Sequence, residues 1–439
     1  MERDTAITSE GTSTVGAGSL RMAFLQPYLT MRTLHSRISL LLGLCLTASV
    51  ATASVVAAQA APPASAPAAP AKEKAWSFSS RIDIGPQYDN NIFLLAPSKK
   101  NNLAAPTAAN LMSGRYTEMT NAADLITTIV ATFQATGQGL AGRDLTLAPS
   151  VAYEWYGLNA ERSNATLGLA LEQMIRNKGR VRIRGTLQPS YFTRNYLSNA
   201  VDGNGDGTII DSERVYERGE YSERTAQVDY RHRLAKSSKT RPFGAWLTLG
   251  GGFYSRAHDA PFGARDLTGP TGTARLQFDF AHGIEFQTSV DVAMLGSRTT
   301  RQVLLLDEPL FGEDLNGNGN STDLNARTVQ TIDRSRTELG LGETARFGLT
   351  RNTDLDLSID FRWRRFLSDE RYDVANNGRI DRRGQYGVEM LHRFSKAVRM
   401  YVGGQYTSQR LNRPTDLGGL GEVDDYSKLQ AHLGFRIGR

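Results

Sequence analysis

DLDLSIDFRWR, residues 354–364, alternates apolar and polar side chains without interruption. The odd positions carry Leu, Leu, Ile, Phe and Trp, whereas every even position is Asp, Ser or Arg. A helix of 3.6 residues per turn would mix these two sets around its axis, but a strand directs successive side chains to opposite faces. The stretch therefore predicts a β-strand with one apolar face and one charged face.

The same period of two recurs after residue 75 and predicts fourteen such strands. Each predicted strand is long enough to cross a bilayer at a tilt, which requires roughly 9–11 residues. The predicted strands span approximately residues 76–90, 123–135, 144–158, 164–176, 180–196, 222–234, 241–256, 272–282, 284–297, 333–349, 354–366, 383–395, 398–409 and 426–438.

The connections between the predicted strands alternate in length. Short turns such as 136–143 and 396–397 alternate with longer, mostly polar loops such as 91–122 and 298–332. An even strand number with short periplasmic turns and long extracellular loops is typical of outer-membrane barrels. We therefore predict an all-β fold, a single 14-stranded antiparallel transmembrane β-barrel over residues 76–439. A soluble β-sandwich is the alternative, but soluble sheets rarely sort fourteen long strands in this way.

The residues before the first strand predict export. Residues 31–60 combine a basic start, an apolar stretch and a small-x-small cleavage site, as a secretory signal peptide does. We expect residues 1–30 to be a non-native extension or the result of a wrongly assigned translation start, and residues 61–75 to form a Pro/Ala-rich periplasmic tether. The single cysteine, Cys45, lies in the signal peptide, which excludes a disulfide scaffold and a cysteine-ligated zinc site.

The charged residues alternate into one face of the strands. Formal net charge is +6, from 51 Lys and Arg against 45 Asp and Glu, which by itself would suit a nucleic-acid surface. A charge facing lipid at mid-depth costs about 2–4 kcal/mol, so we expect this face to line the lumen and exclude nucleic acid as a partner. The predicted pore-lining residues are Arg180, Arg182, Arg184, Asp229, Arg231, Arg336, Glu338, Asp360, Arg362 and Arg364. Two interpretations stay open: salt bridges that fill the interior, or a water-filled pore favouring anionic or sugar-like solutes.

One long loop has the spacing of an EF-hand calcium loop. Residues 202–213 read DGNGDGTIIDSE, with a glycine at the sixth position and an apolar residue at the ninth. Because no flanking helices are apparent, we predict an EF-like loop that calcium stiffens, although solvated loops accumulate Asp, Asn and Gly in any case. The predicted ligands are Asp202, Asn204, Asp206, Thr208 and Glu213, with a weaker loop at Asp314, Asn316, Asn318 and Asp323 and the weakest at Asp373–Asp381. No other cofactor is expected.

Catalysis is not expected from this sequence. The histidines after residue 60 lack metal-ligand spacing, and no Ser, His and acid share one face at one height, as nucleophilic catalysis requires. These histidines are His232, His258, His282, His392 and His432.

Two short motifs carry a family resemblance. Residues 84–93, IGPQYDNNIF, resemble the first strand of uncharacterised Gram-negative barrels, including exopolysaccharide-associated barrels and surface lipoprotein assembly modifiers. The C-terminal LGFRIGR is similar to the final strand that outer-membrane assembly machinery recognises, although it ends on Arg439 in place of an aromatic residue.

The chain thus resembles Gram-negative outer-membrane barrels of the putative-porin type. That resemblance implies an outer-membrane location, with outer-membrane lipid, lipopolysaccharide and the assembly machinery as partners and an oligomeric state left open. We expect a porin-like channel for small polar or anionic solutes. The alternatives are a surface assembly or export barrel for polysaccharide or lipoprotein, and a structural or adhesive barrel with a plugged lumen.

Overall fold

The computed structural model describes most of the chain after residue 75. The described residues are 76–97, 100, 103, 121–176, 179–200, 214–237, 243–297, 300–305, 327–369, 373, 376–412 and 425–438. The predicted boundaries within residues 1–75 lie outside these ranges. Among the described residues, no helix has the length and apolar character needed to cross a membrane.

Strands dominate the described residues. In chain order they are β1 (Ser77–Asp89), β2 (Asp124–Gln138), β3 (Asp144–Tyr156), β4 (Asn164–Arg176), β5 (Gly179–Ala200), β6 (Arg214–Ala235), β7 (Phe243–His258), β8 (Leu267–Phe280), β9 (Glu285–Ser297), β10 (Thr300–Leu305), β11 (Arg327–Ile332), β12 (Arg336–Gly348), β13 (Thr353–Phe366), β14 (Ile380–Arg393), β15 (Val398–Asn412) and β16 (Tyr426–Gly438).

Fourteen of these strands form a closed antiparallel barrel. Each strand pairs with its neighbours in sequence, except that β9 pairs with β12 and the separate β10–β11 hairpin lies between them in the chain. Pairing of β1 with β16 closes the ring, with Ile84 opposite Phe435. The predicted 14-stranded antiparallel barrel is therefore confirmed.

The two ends of the barrel differ in their connections. β1 begins and β16 ends at the end where short turns join β2 to β3, β8 to β9 and β14 to β15, and we call this the short-turn end. One of these turns needs Gly283, whose φ of +74° is costly for residues that carry a Cβ. The longer connections lie at the opposite, long-loop end. The assignment of the short-turn end to the periplasm stays a prediction.

The sequence pattern misses structure that lies beyond the lipid-facing strand segments. β5 and β6 each run for 22 residues and extend past the predicted ends at 196 and 222. Beyond those points no lipid contact requires an apolar face, and neither face of the strands is consistently apolar. The alternation with a period of two is therefore absent there. The β10–β11 hairpin also falls within a predicted loop, because strands of six residues are too short to read as membrane crossings.

The outer face of the barrel is apolar and exposed. On β13, Leu357, Ile359 and Phe361 expose 40%, 42% and 39% of their surface. Aromatic residues such as Trp76 and Trp155 are also exposed near strand ends, where interfacial girdles form in membrane barrels. A closed barrel satisfies every backbone hydrogen bond internally, so an apolar outer belt of this kind suits a lipid environment.

The segment after β1 is locked by buried polar side chains. Asn91 donates through Nδ2 to the carbonyl oxygens of Leu95 and Ser427, each at 2.9 Å. Asp89 accepts from the backbone N–H of Asn91 at 2.9 Å and from Lys428 Nζ at 2.6 Å. The residues of the YDNN motif therefore tie the start of the first long loop to β16.

Candidate functional site: the lumen

The inner face of the barrel carries the charged residues of the strands. Because apolar residues of β13 face outwards, the alternate positions Asp360, Arg362 and Arg364 face the lumen. The register continues this face around the wall, with Glu338 opposite Arg364 and Arg182 opposite Asp229. The structure therefore brings the predicted pore-lining residues to the inner wall in two groups.

The first group surrounds one carboxylate, and we call it the Glu338 cluster. Glu338 lies 2.7 Å from Arg336 Nε, 3.3 Å from Arg364 Nε and 4.0 Å from Arg362 Nη1. Only 12% of the Glu338 side chain is exposed, so the surrounding guanidinium groups compensate a largely desolvated charge. Three cations around one anion leave an excess of positive charge on this part of the wall.

Next to this cluster, β13 and β14 place two arginines face to face. Arg362 lies directly opposite Arg383 in the register. Like charges in this position destabilise a sheet, and Asp360, 3.7 Å from Arg383, supplies a counter-charge.

The second group lies on β4 to β8. Arg184 lies 3.3 Å from Asp229, and Arg180 lies 3.1 Å from Glu172. Arg231 donates to Gln277 at 2.9 Å. Its guanidinium also stacks on the Trp246 ring at 4.4 Å, a favourable cation–π contact. The arginine row predicted on β5 is thus partly neutralised across neighbouring strands.

Cavities indent the inner wall between these groups. One of about 460 Å³ is lined from β6 to β13, and one of about 430 Å³ lies nearer the short-turn end. The charged residues lining the first are Glu223, Arg256, Asp291, Arg336, Glu338, Arg362 and Arg364. The charged and titratable residues lining the second are Glu285, Arg346, Asp356, Glu389 and His432.

Sequence reasoning missed a third cavity, of about 290 Å³, at the short-turn end of β1, β15 and β16. Its basic residues are Arg81, Lys396, Arg399 and Arg436. β1, β15 and β16 each contribute one of these charges and the β14–β15 turn contributes Lys396, so no single segment signals the cluster. The period-two pattern assigns inward-facing positions on the first strand and on the last two strands. Placing these three strands side by side, as barrel closure requires, would have predicted the cluster.

The two stronger predicted calcium loops, at 202–213 and 314–323, lie outside the described residues. Among the described residues, no group of His, Cys, Asp and Glu is arranged to hold a metal. In the weakest predicted loop, Asp373–Asp381, the two terminal carboxylates form contacts within the protein, and calcium binding there stays a prediction. Asp373 accepts from the backbone N–H of Asp333 at 3.0 Å and from Asn376 Nδ2 at 2.9 Å, and Asp381 pairs with Arg379 at 2.6 Å. Burial also raises the pKa of the Asp373 carboxyl, and both carboxylates at the ends of this stretch are already bonded within the protein.

A closed barrel with an apolar outer belt and a charged inner wall satisfies the constraints of the bacterial outer membrane. The chain is a transmembrane β-barrel. This conclusion rests on its own strand pairing and on the distribution of its side chains.

Several solved structures are distantly similar to the chain. No family model and no curated protein matches the chain. An anion-selective porin from Comamonas acidovorans is similar over 84% of this chain and 100% of its own, with 11% identity and a TM-score of 0.35. OmpT of Vibrio cholerae is similar over 84% of this chain and 100% of its own, with 9% identity and a TM-score of 0.36. OpdK from Pseudomonas aeruginosa is similar over 83% of this chain and 99% of its own, with 8% identity and a TM-score of 0.34.

Proposed function

We propose that the protein is a porin-like channel that passes small polar or anionic solutes across the outer membrane. One observation carries the proposal: the charged inner wall is accessible to solvent. Arg180 and Arg346, on the inner wall near the short-turn mouth, expose 38% and 49% of their side chains, and Arg362, further along the wall, exposes 32%. Salt-bridge ladders that filled the interior would leave such side chains buried.

The size of the barrel supports the same function. Eight-stranded barrels are just wide enough for side chains to fill the interior, whereas barrels of 16–18 strands enclose an aqueous channel. Fourteen strands lie between these cases, and the wall cavities of several hundred Å³ favour a hydrated lumen. Charged side chains that line a pore set its ion preference, and a surplus of arginine favours anions.

The expected partners belong to the same proposal. Outer-membrane lipid contacts the apolar belt, lipopolysaccharide contacts the long-loop end, and the assembly machinery recognises the final strand. The solute passes through without chemical change, so no catalytic group is required. That the protein is not an enzyme stays a prediction.

Conductance in planar bilayers tests the channel. The purified protein should give discrete current steps, with a reversal potential that indicates anion preference in a KCl gradient. The absence of any ionic current would overturn the proposal and favour a plugged, structural barrel. Surface loss of polysaccharide or lipoprotein in a deletion strain would instead support an assembly role.

Neighbouring arginines on β13 provide a matched pair of variants. Arg364 faces the lumen, whereas Arg365 is on the opposite face of the strand. Removing a unit charge about 8 Å from a passing ion changes its energy by about 0.5 kcal/mol at the dielectric constant of water, or about twofold. Arg364→Ala should therefore lower the anion-to-cation permeability ratio about twofold, and Arg365→Ala should leave it unchanged. Equal effects of the two variants would count against selectivity by the inner wall.

Calcium binding by residues 202–213 is part of the proposal. The spacing of oxygen-bearing side chains supports it, and the expected affinity is that of extracellular sites, with a Kd of roughly 10⁻⁴–10⁻³ M. Millimolar calcium should protect residues 197–221 from protease, and Asp202→Ala combined with Asp206→Ala should abolish that protection. Identical cleavage with and without calcium in the native protein would refute the site.

A further inference from the structure

The cavity at the short-turn end of the lumen has an unusual excess of cations. Four basic residues line its wall, and we call them the basic site: Arg81, Lys396, Arg399 and Arg436. The register places Arg399 directly opposite Arg436, and Arg436 in turn opposite Asp83. Two like charges in opposed positions destabilise a sheet unless an anion lies close to both.

One carboxylate serves this whole group. Asp83 lies 2.7 Å from Arg436 Nε and 3.2 Å from Arg81 Nε. Among the described residues, Arg399 and Lys396 have no carboxylate at ion-pair distance. The basic site therefore combines four cations around a small cavity with one neighbouring anion.

The adjoining acidic wall does not neutralise this excess. Glu389 pairs with His432 at 3.0 Å, and Asp356 pairs with Arg346 at 2.6 Å. The ring of Tyr401, with its centroid 5.9 Å from that of His432, lies on β15 between this wall and Arg399. Glu389 and Asp356 are thus already paired with side chains of their own wall, a histidine and an arginine.

Neutral hydrogen-bonding groups complete the wall of the basic site. Ser79 lies opposite Gln134, and Arg81 lies opposite Thr132, all at the same cavity. Hydroxyl, amide and guanidinium N–H groups are the donors that the oxygens of a phosphate or carboxylate accept, and a guanidinium group presents two parallel N–H bonds to such a group. The donor set therefore matches an oxyanion better than a neutral solute.

We propose that the basic site binds a small oxyanion, a phosphate or carboxylate group, at the short-turn mouth of the lumen. This proposal rests on the proposed function in one respect, because the oxyanion reaches the basic site through the lumen. The proposal places the strongest anion preference at this mouth, since the arginines around Glu338 and Asp229 share their charge with these carboxylates.

Calorimetric titration of the detergent-solubilised protein tests the site without requiring any current. Inorganic phosphate and acetate serve as separate probes, so that the preferred oxyanion is identified. Arg399→Ala combined with Lys396→Ala should weaken binding about tenfold or more, because hydrogen bonds to charged groups are lost. Arg399→Lys combined with Lys396→Arg should retain binding, because it conserves both charges. Neither Arg399 nor Lys396 forms an ion pair with a described residue, so folding of these variants, checked by circular dichroism, is expected to be normal.

Arg233→Ala is the matched control. Arg233 lies at the same end of the barrel on β6, where its guanidinium stacks on Trp246 at 4.3 Å, and its loss should leave phosphate binding unchanged. Equal binding by the native protein and the double alanine variant would overturn the site, as would the absence of binding for both probes. Current without oxyanion binding would contradict the basic site alone, whereas binding without current would contradict the channel alone.

Discussion

Arg162 shows how a single buried cation is accommodated at the long-loop end. Its guanidinium carbon lies 5.1 Å from the ring centroid of Phe93, 5.8 Å from that of Tyr156 and 5.1 Å from that of Tyr191. It also donates to the carbonyl oxygen of Thr193 at 3.2 Å and to the hydroxyl of Tyr191. Aromatic faces and hydrogen bonds thus replace the carboxylate that a buried cation ordinarily requires.

Replacing this residue should cost more than replacing an exposed arginine. Arg162→Met keeps the apolar stem but loses the cation–π contacts and hydrogen bonds, so we expect the free energy of unfolding to fall by about 2–4 kcal/mol. Denaturant unfolding in detergent measures the change. Arg410→Met is the control, because Arg410 forms only an exposed pair with Asp425, and such pairs contribute about 0–1 kcal/mol. A similar decrease in the free energy of unfolding for both variants would show that the aromatic rings around Arg162 do not stabilise the protein.

At the scale of the element, the extended β5–β6 hairpin is held by the loops around it. Phe192 packs against Leu95 and Leu103 of the first long loop. The rings of Tyr196 and Phe262 meet at 5.1 Å. These contacts explain why two strands persist beyond the lipid-facing part of the barrel without an apolar outer face.

Truncating the most buried of these side chains should release the hairpin and leave the barrel intact. Phe262→Ala removes an almost fully buried ring, a change that typically costs 3–5 kcal/mol. Limited trypsin digestion should then cleave rapidly after Arg194 and Arg218, while the remaining strands stay protected. Phe394→Ala, at an exposed ring near the short-turn end, should leave the cleavage pattern unchanged. Release of the entire barrel to trypsin would show instead that the hairpin and barrel unfold as one unit.

The same elements show what sequence reasoning can and cannot reach. Period two predicts the strands because lipid requires an apolar residue at alternate positions, as on β13. The pattern predicts which residues of β5 and β12 face inwards, but not which carboxylate each arginine meets. Arg81 and Arg399 come close only because the first strand pairs with the last. This proximity cannot be predicted when each segment is considered separately. Asn91 and Asp89 form a motif in sequence, but the contacts of Asn91 with Ser427 and of Asp89 with Lys428 depend on β16.

Considered as a whole, the lumen has a charge distribution whose effect depends on salt. Carboxylates offset part of the arginine charge around Glu338 and Asp229, whereas the short-turn mouth carries cations without a carboxylate partner among the described residues. The Debye length falls from about 30 Å at 0.01 M to about 3 Å at 1 M salt. Fixed charges therefore act across the lumen only in dilute solution.

Anion preference should accordingly weaken as salt concentration rises. Reversal potentials measured at a constant tenfold KCl gradient, from dilute to molar solutions, should move towards zero. A preference that stayed constant over this range would point to selection by pore size and would argue against the arginines as its source.

Closure of the ring between β1 and β16 also governs how the protein matures. Until β16 has been synthesised, β1 has an unpaired edge, and exposed edges invite pairing with other chains. The chain is therefore most open to pairing with other chains before the β1–β16 seam has closed. Because Arg81 meets Arg399 and Arg436 only once the seam is sealed, oxyanion binding would serve as a biochemical marker of completed biogenesis.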